Sequence, residues 1–335
     1  MRQQSKIHAG RRFFLGASAL CLGAAALPAQ AQAPYPSQPI KLVVGFAPGG
    51  PTDVQARLFA RKLAPLLGQT VVVENKPGAS TTIAVTEVAR AAPDGYTLYF
   101  GGSGAYATTP LTIPQLQYDP RSSFAPIAMI GEEQIAFAVH PGVPARTMAE
   151  LADQVKANPG KYSFASSGHG NITHLTGELF KQKAGGLDLI HVAYKGAAPA
   201  VNDVVAGHLG VVVGGLGSVY PLHKDGKLRV LAITSENRAS YAPDIPTAAE
   251  SGVKDLISAS TLVLLAPAKT PAAVVERLDS AVAQALAEPS YQQEMRQSNV
   301  EPITGSTPAK TDALLKRELD QWANLVKASG ISLNQ

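Results

Sequence analysis

Glycine-rich loops carry the residues of this chain that could do chemistry. Pro48-Gly49-Gly50-Pro51-Thr52-Asp53, Gly101-Gly102-Ser103-Gly104 and Ser166-Ser167-Gly168-His169-Gly170-Asn171 each follow a short apolar run. They offer hydroxyls at Thr52, Ser103, Ser166 and Ser167, and imidazoles at His169 and nearby His174. Nucleophilic catalysis is poorly supported. Gly101-Gly102-Ser103-Gly104-Ala105 breaks the nucleophile-elbow pattern at its fifth position. Ser166 and Ser167 with His169 and His174 fit no triad order. The two histidines are not an i, i+4 pair and no acidic cluster joins them, so no metal site is expected. Neither a dinucleotide fingerprint nor a phosphate loop is present. What the loops do share is exposed backbone N–H at strand ends, running onto helix N-termini, which favours an anion. Taken singly, each loop is also what a tight turn needs.

The surrounding pattern is strand, loop, helix, repeated. Ile40 to Phe46, Val71 to Val73 and Tyr96 to Phe100 read as strands, with helices over 54–67 and 81–91 between them. A second set follows Pro141, with helices over 147–158, 172–183 and 199–206 and strands over 162–165, 189–192, 209–213 and 228–233. Apolar segments at about 127–139 and 257–266 read as crossover strands tying two lobes together. The last sixty or so residues read as three amphipathic helices over 271–287, 290–298 and 308–329. Alternating strands and helices predict an α/β fold with a mainly parallel, doubly wound sheet, whose ligand sites lie at strand C-termini.

Before the first strand lies an export pattern. Arg11-Arg12-Phe13-Phe14-Leu15 precedes the apolar stretch Ala17 to Leu27, and Ala29-Gln30-Ala31 supplies small residues for a signal peptidase. Residues 1–31 are therefore read as a twin-arginine signal peptide cleaved after Ala31, with a periplasmic destination. The chain has 29 basic and 25 acidic residues, and the leader holds four of the basic ones and no acid. The remainder is balanced, which argues against a nucleic-acid partner. Cys21, the only cysteine, falls in the leader, so disulfides and thiolate chemistry are not expected afterwards.

Motif by motif the chain resembles the substrate-binding proteins of tripartite tricarboxylate transporters, the Bug family. The resemblance rests on FAPGGPTDVQAR (46–57), VVVENKPGAS (71–80), PDGYTL (93–98), YDPRSSFAPIAMIG (118–131), SSGHGNITHLTGELF (166–180), VAYKGAAPAVNDVVAGHL (192–209) and LRVLAITSENRASYAPDIPTAAESG (228–252). It implies a two-lobed type II periplasmic binding protein-like fold joined by crossover strands. Lobe 1 would comprise 34–136 and 260–335, and lobe 2 would comprise 137–259. It also implies a monomeric receptor without cofactor, metal or catalytic residue. Its ligand would be a small organic carboxylate, held largely by backbone amides and ordered water.

Carried across, the family's site makes Phe46 a wall beside the ligand. Pro48, Gly49, Gly50 and Thr52 would form the first carboxylate loop, with Asp53 fixing its helix start. Ser103, Gly104 and Ala105 would follow the third strand. Ser167, Gly168 and Asn171 would form the second-lobe loop, with His174 on the helix behind it. Lys195, Gly196, Gly214 and Gly215 would close the far side. Two departures matter. Many relatives carry an acidic residue where this chain has Gly214-Gly215, and a Trp-x-Gly where it has Ser260-Thr261-Leu262-Val263. A missing acid removes a partner for a ligand amine, which favours a plain di- or tricarboxylate or an aromatic acid over an amino acid. The partner would be a transporter's membrane permease. The alternatives are a sensor kinase, with the chain as its co-receptor, and a hydrolase or lyase on the same fold.

Overall fold

The computed structural model describes residues 35–113, 115–194 and 196–329. The export segment and Lys195 lie outside the described residues. Residues from Tyr35 onward form one compact unit.

The first half begins with β1 (Ile40–Val44), α1 (Pro51–Leu67), β2 (Val71–Asn75), α2 (Thr82–Arg90) and β3 (Thr97–Gly102). Two single-turn helices follow, α3 (Gly104–Ala107) and α4 (Thr109–Thr112). The long strand β4 (Phe124–Val139) leads into the second half. That half holds α5 (Met148–Ala157), β5 (Ser163–Ser166), α6 (Ile172–Lys183), β6 (Ile190–Ala193), α7 (Ala197–Val205), β7 (Val211–Gly215), α8 (Leu216–Lys224) and β8 (Arg229–Ile233). The chain returns through β9 (Ala259–Pro267) to α9 (Ala272–Ala287), α10 (Pro289–Gln297), the short β10 (Glu301–Pro302) and α11 (Pro308–Ser329).

The strand order is β2-β1-β3-β9-β4-β7-β5-β6, with β8 and β10 also paired to β4. The strand β4 is the seam. Residues 124–134 pair with β9 and residues 135–139 pair with β7, with β8 beside the same end. The expectation of a mainly parallel sheet needs correction. β1 pairs in parallel with β2 and β3, as does β5 with β6 and β7. Every pairing made by β4 or β9 is antiparallel. The βαβ units dictate parallel strands within each half, but the two long connections enter each half against that direction. The crossover strands themselves fall where the apolar runs placed them.

The elements follow from local chemistry. Pro51 opens α1, where its missing N–H costs nothing, and Gly68 closes it in the left-handed region at φ 69°. Thr147 and Asn171 cap α5 and α6 with their side-chain oxygens. Helix α8 was not foreseen. Gly217 and Pro221 lower its helix propensity, and it forms because Leu216 and Val219 are fully buried. Apolar cores lie on both faces of the strands. Phe59, Phe100, Leu264 and Tyr291 belong to one, and Phe137, Phe164, Phe180 and Trp322 to another.

Candidate functional site

A cavity of about 380 Å³ is lined by two of the glycine-rich loops together with Phe46. Phe46 comes from the loop after β1, Ser103, Gly104 and Ala105 from the end of β3, and Ser167, Gly168 and Asn171 from the loop between β5 and α6. The cavity thus draws on both sets of βα units, at the C-terminal ends of their strands. Phe46 is 42 % exposed, an apolar ring left at the rim.

Five residues of the first loop and helix stand apart from this lining. Pro48, Gly49, Gly50 and Thr52 do not line the cavity, and Asp53 is buried beneath them. Asp53 is the hub of the loop. Its Oδ2 accepts from the Gly49 N–H at 2.9 Å and from Arg57 Nε at 3.0 Å, and its Oδ1 accepts from Asn75 Nδ2 at 2.9 Å. Asn75 Nδ2 also donates to the Phe46 carbonyl at 3.0 Å, so the hub holds the strand end that carries Phe46. Burial alone would raise the Asp53 carboxyl. The hydrogen bonds from Arg57, Gly49 and Asn75 outweigh it and hold the group down at about 2. Gly49 needs to be glycine, because its φ is +82°.

The second-lobe loop is knit internally. The Ser167 N–H donates to Thr173 Oγ1 at 3.0 Å, and the Thr173 N–H donates to Asn171 Oδ1 at 3.1 Å. The Gly168 N–H reaches Ser166 Oγ at 3.3 Å and the Gly170 N–H reaches His174 Nδ1 at 3.0 Å. Gly196, at φ +114°, donates its N–H to the Ser167 carbonyl at 3.1 Å and so braces this loop from outside the cavity lining. In this conformation the amides of Ser167, Gly168, Gly170 and Asn171 are already paired. Anionic charge at its tip would still face the N-terminus of the twelve-residue helix α6. Gly214 and Gly215 end β7, paired with Ala136 and Ile135, and do not line the cavity.

His174 lies behind the loop, 2 % exposed, with its ring stacked on His191 of β6 at 3.7 Å and 12°. Burial, then the neighbouring imidazoles and Lys181, push His174 down to about 3. Burial, then His169 and Lys181, push His191 down to about 4, so both rings are neutral at neutral pH. Together with His169 they place three ring nitrogens within 4.8 Å of one another. The donor set matches zinc chemistry, but the geometry does not. Tetrahedral ligands at zinc bond lengths sit about 3.3 Å apart, with each lone pair aimed in its ring plane at the ion. Two rings stacked nearly parallel cannot do that. His174 Nδ1 also accepts a backbone N–H, and His191 Nε2 lies 2.7 Å from Ser166 Oγ.

That last contact is a serine–histidine pair absent from the sequence reading, since His191 is 25 positions from Ser166. Ser166 is fully buried and does not line the cavity. Its hydroxyl also contacts the Gly168 carbonyl at 3.2 Å. The pair braces the loop from below.

Sequence reasoning missed the contribution of α11. Glu318 and Trp322, four residues apart, both line the cavity, as do Tyr99 and Ser260. Burial pushes the Glu318 carboxyl up to about 7, against a hydrogen bond with Ser103 and the charge of Arg317. A signal was available. Leu315, Leu319, Trp322 and Leu325 form the buried stripe of α11, and Glu318 is an acid within that stripe. Trp322 is also the only tryptophan of the chain.

Comparisons with known proteins agree with this architecture. The solved structure of periplasmic binding protein BugD is 37 % identical, covers 90 % of this chain and 100 % of its own, and superposes with a TM-score of 0.72. The Rhodopseudomonas palustris protein Rpa4515, solved with adipate, is 33 % identical over 90 % of this chain and 100 % of its own, with a TM-score of 0.74. MatC of the same organism, solved with bound malate, is 29 % identical over 87 % of this chain and 100 % of its own, with a TM-score of 0.71. The fold is thus the two-lobed α/β architecture of periplasmic solute-binding proteins. Residues 55–331 match the family described as tripartite tricarboxylate transporter family receptor, and the chain belongs to that family of solute-binding receptors, the Bug proteins.

Proposed function

We propose that this receptor captures a small organic carboxylate, a di- or tricarboxylate or an aromatic acid, in the 380 Å³ cavity. It would then present the ligand to the membrane permease of a tripartite tricarboxylate-type transporter. The observation that carries this reading is the lining itself. Hydroxyls of Ser103, Ser167 and Ser260 line the space, and among the described residues no lysine or arginine stands in its wall. A carboxylate would be held there by hydrogen bonds and the N-terminus of α6. The adipate and malate bound by the two related proteins support the ligand class. Lobe 1 (34–136 and 260–335) and lobe 2 (137–259) would close on the ligand, and residues 1–31 would direct export to the periplasm through the twin-arginine route. No catalytic role is assigned. Ser166 and His191 form a close serine–histidine contact near the loops, and that serine does not line the cavity.

A thermal-shift series with adipate, malate and glucose tests this. A carboxylate at a hundred times its dissociation constant adds about 2.7 kcal/mol of stability. A shift with glucose and none with any carboxylate would sink the proposal.

A further inference from the structure

A second cavity, of about 350 Å³, shares Ala259, Glu318 and Trp322 with the first. Its floor holds Gln134 of β4, which is 3 % exposed and whose Oε1 has no hydrogen-bond partner. A buried acceptor left without a donor carries its full desolvation penalty, so this oxygen is a standing request for an N–H or O–H.

The charge around it is unbalanced. Arg238 lines the cavity but is engaged by Glu250 at 2.8 Å and by the Pro243 carbonyl at 2.8 Å. Glu301 is engaged by Arg296 at 3.0 Å and by Ser240. Among the described residues of the lining, that leaves Glu132, Glu236 and Glu318 with Arg317 as the remaining cation, and Glu318 also bonds Ser103. Burial, with Glu236 and Glu301 nearby, pushes the Glu132 carboxyl up to about 7, as expected where a cation is wanted. A metal ion is not favoured as the occupant: among the described residues no three acidic groups come close enough to share an ion, and the one cluster of three potential ligands, His169, His174 and His191, does not line this cavity. The volume is that of a small-molecule pocket, and Met129, Ile303 and Leu314 supply apolar wall.

We propose that this cavity binds a small organic cation. Its ammonium or guanidinium group donates to Gln134 Oε1 and is neutralised by Glu132 and Glu318, and its hydrocarbon part lies against Met129, Ile303 and Trp322. Because Glu318 lines both cavities, a cation that holds it ionised disfavours an anion in the first. By linkage, each ligand weakens the other by the same factor.

The test is calorimetry on untagged protein with butylammonium and butylguanidinium chlorides. Tetramethylammonium chloride serves as a cation without N–H donors, and potassium chloride controls for ionic strength. The two donors should bind with dissociation constants below about 1 mM, and tetramethylammonium at least about tenfold more weakly. Gln134→Leu should weaken donor binding by about tenfold or more, while raising the thermal midpoint of the unliganded protein by removing the orphan acceptor. Glu132→Gln should weaken binding similarly and serves alone if Gln134→Leu does not fold. Absence of donor binding, equal binding of tetramethylammonium, or unchanged affinity in both variants overturns the proposal.

Discussion

Two carboxyls in this chain behave oppositely, and each sets a pH dependence. Asp53 is held at about 2 in the folded protein, below its ordinary value of 3.8. Its stabilisation is therefore complete above about pH 4 and is lost as pH falls towards 2. Asp53→Asn should cost about 1–2 kcal/mol at neutral pH, a range reduced because Arg57 is half exposed and screened by solvent. Denaturant unfolding at neutral pH and near pH 3 measures this, and the difference between wild type and variant should shrink at the lower pH. Glu318 is raised to about 7 and lines the cavity. A bound carboxylate would favour its protonated form, so binding should take up a proton and affinity should fall as pH rises through 7. The Glu318→Gln variant isolates this carboxyl. Calorimetry with adipate should show a flatter pH profile in that variant.

At the scale of elements, α6 joins the second-lobe loop to the core, and Gly177 sets how closely it sits on β5. A Cβ at Gly177 would lie 2.2 Å from the Phe164 ring. Replacing a helical glycine by alanine ordinarily gains up to about 1 kcal/mol. Here the overlap costs about 1–3 kcal/mol and reverses the sign. Gly177→Ala should lower the thermal midpoint and, by displacing Phe164 and the His174–His191 stack, weaken ligand binding. A more stable variant with unchanged affinity would show that α6 has freedom to move. Gly45 has a comparable role beneath the first loop, where a Cβ would meet Thr81 Cβ at 2.7 Å.

For the whole molecule, the seam at β4 is where a hinge would lie. One strand pairs with β9 along residues 124–134 and with β7 along residues 135–139. Bending there would carry one set of loops towards the other without breaking either half's parallel core, as a hinge motion requires. Saturating adipate should therefore reduce the radius of gyration seen by solution scattering. An unchanged radius in protein shown calorimetrically to bind adipate would mean a rigid pocket.

The strand–loop–helix units, the two crossover strands and the loops at their ends were legible in the sequence because they are local. They rest on residue periodicity, on turn glycines such as Gly49 and on caps such as Asn171, all within a few positions of one another. The family motifs added the architecture, for the same reason of contiguous pattern. What only the tertiary structure decided depends on pairs distant along the chain. The antiparallel entry of β4 and β9, the stacking of His191 on His174 and the Ser166–His191 contact all join separate segments. So does the arrival of Glu318 and Trp322 beside Ser103, across more than two hundred residues. Periodicity tells which face of α11 is buried, but not which strand end it covers. That is set by how the C-terminal helices pack once the sheet has formed, and it brings an acid into a cavity whose own loops carry none.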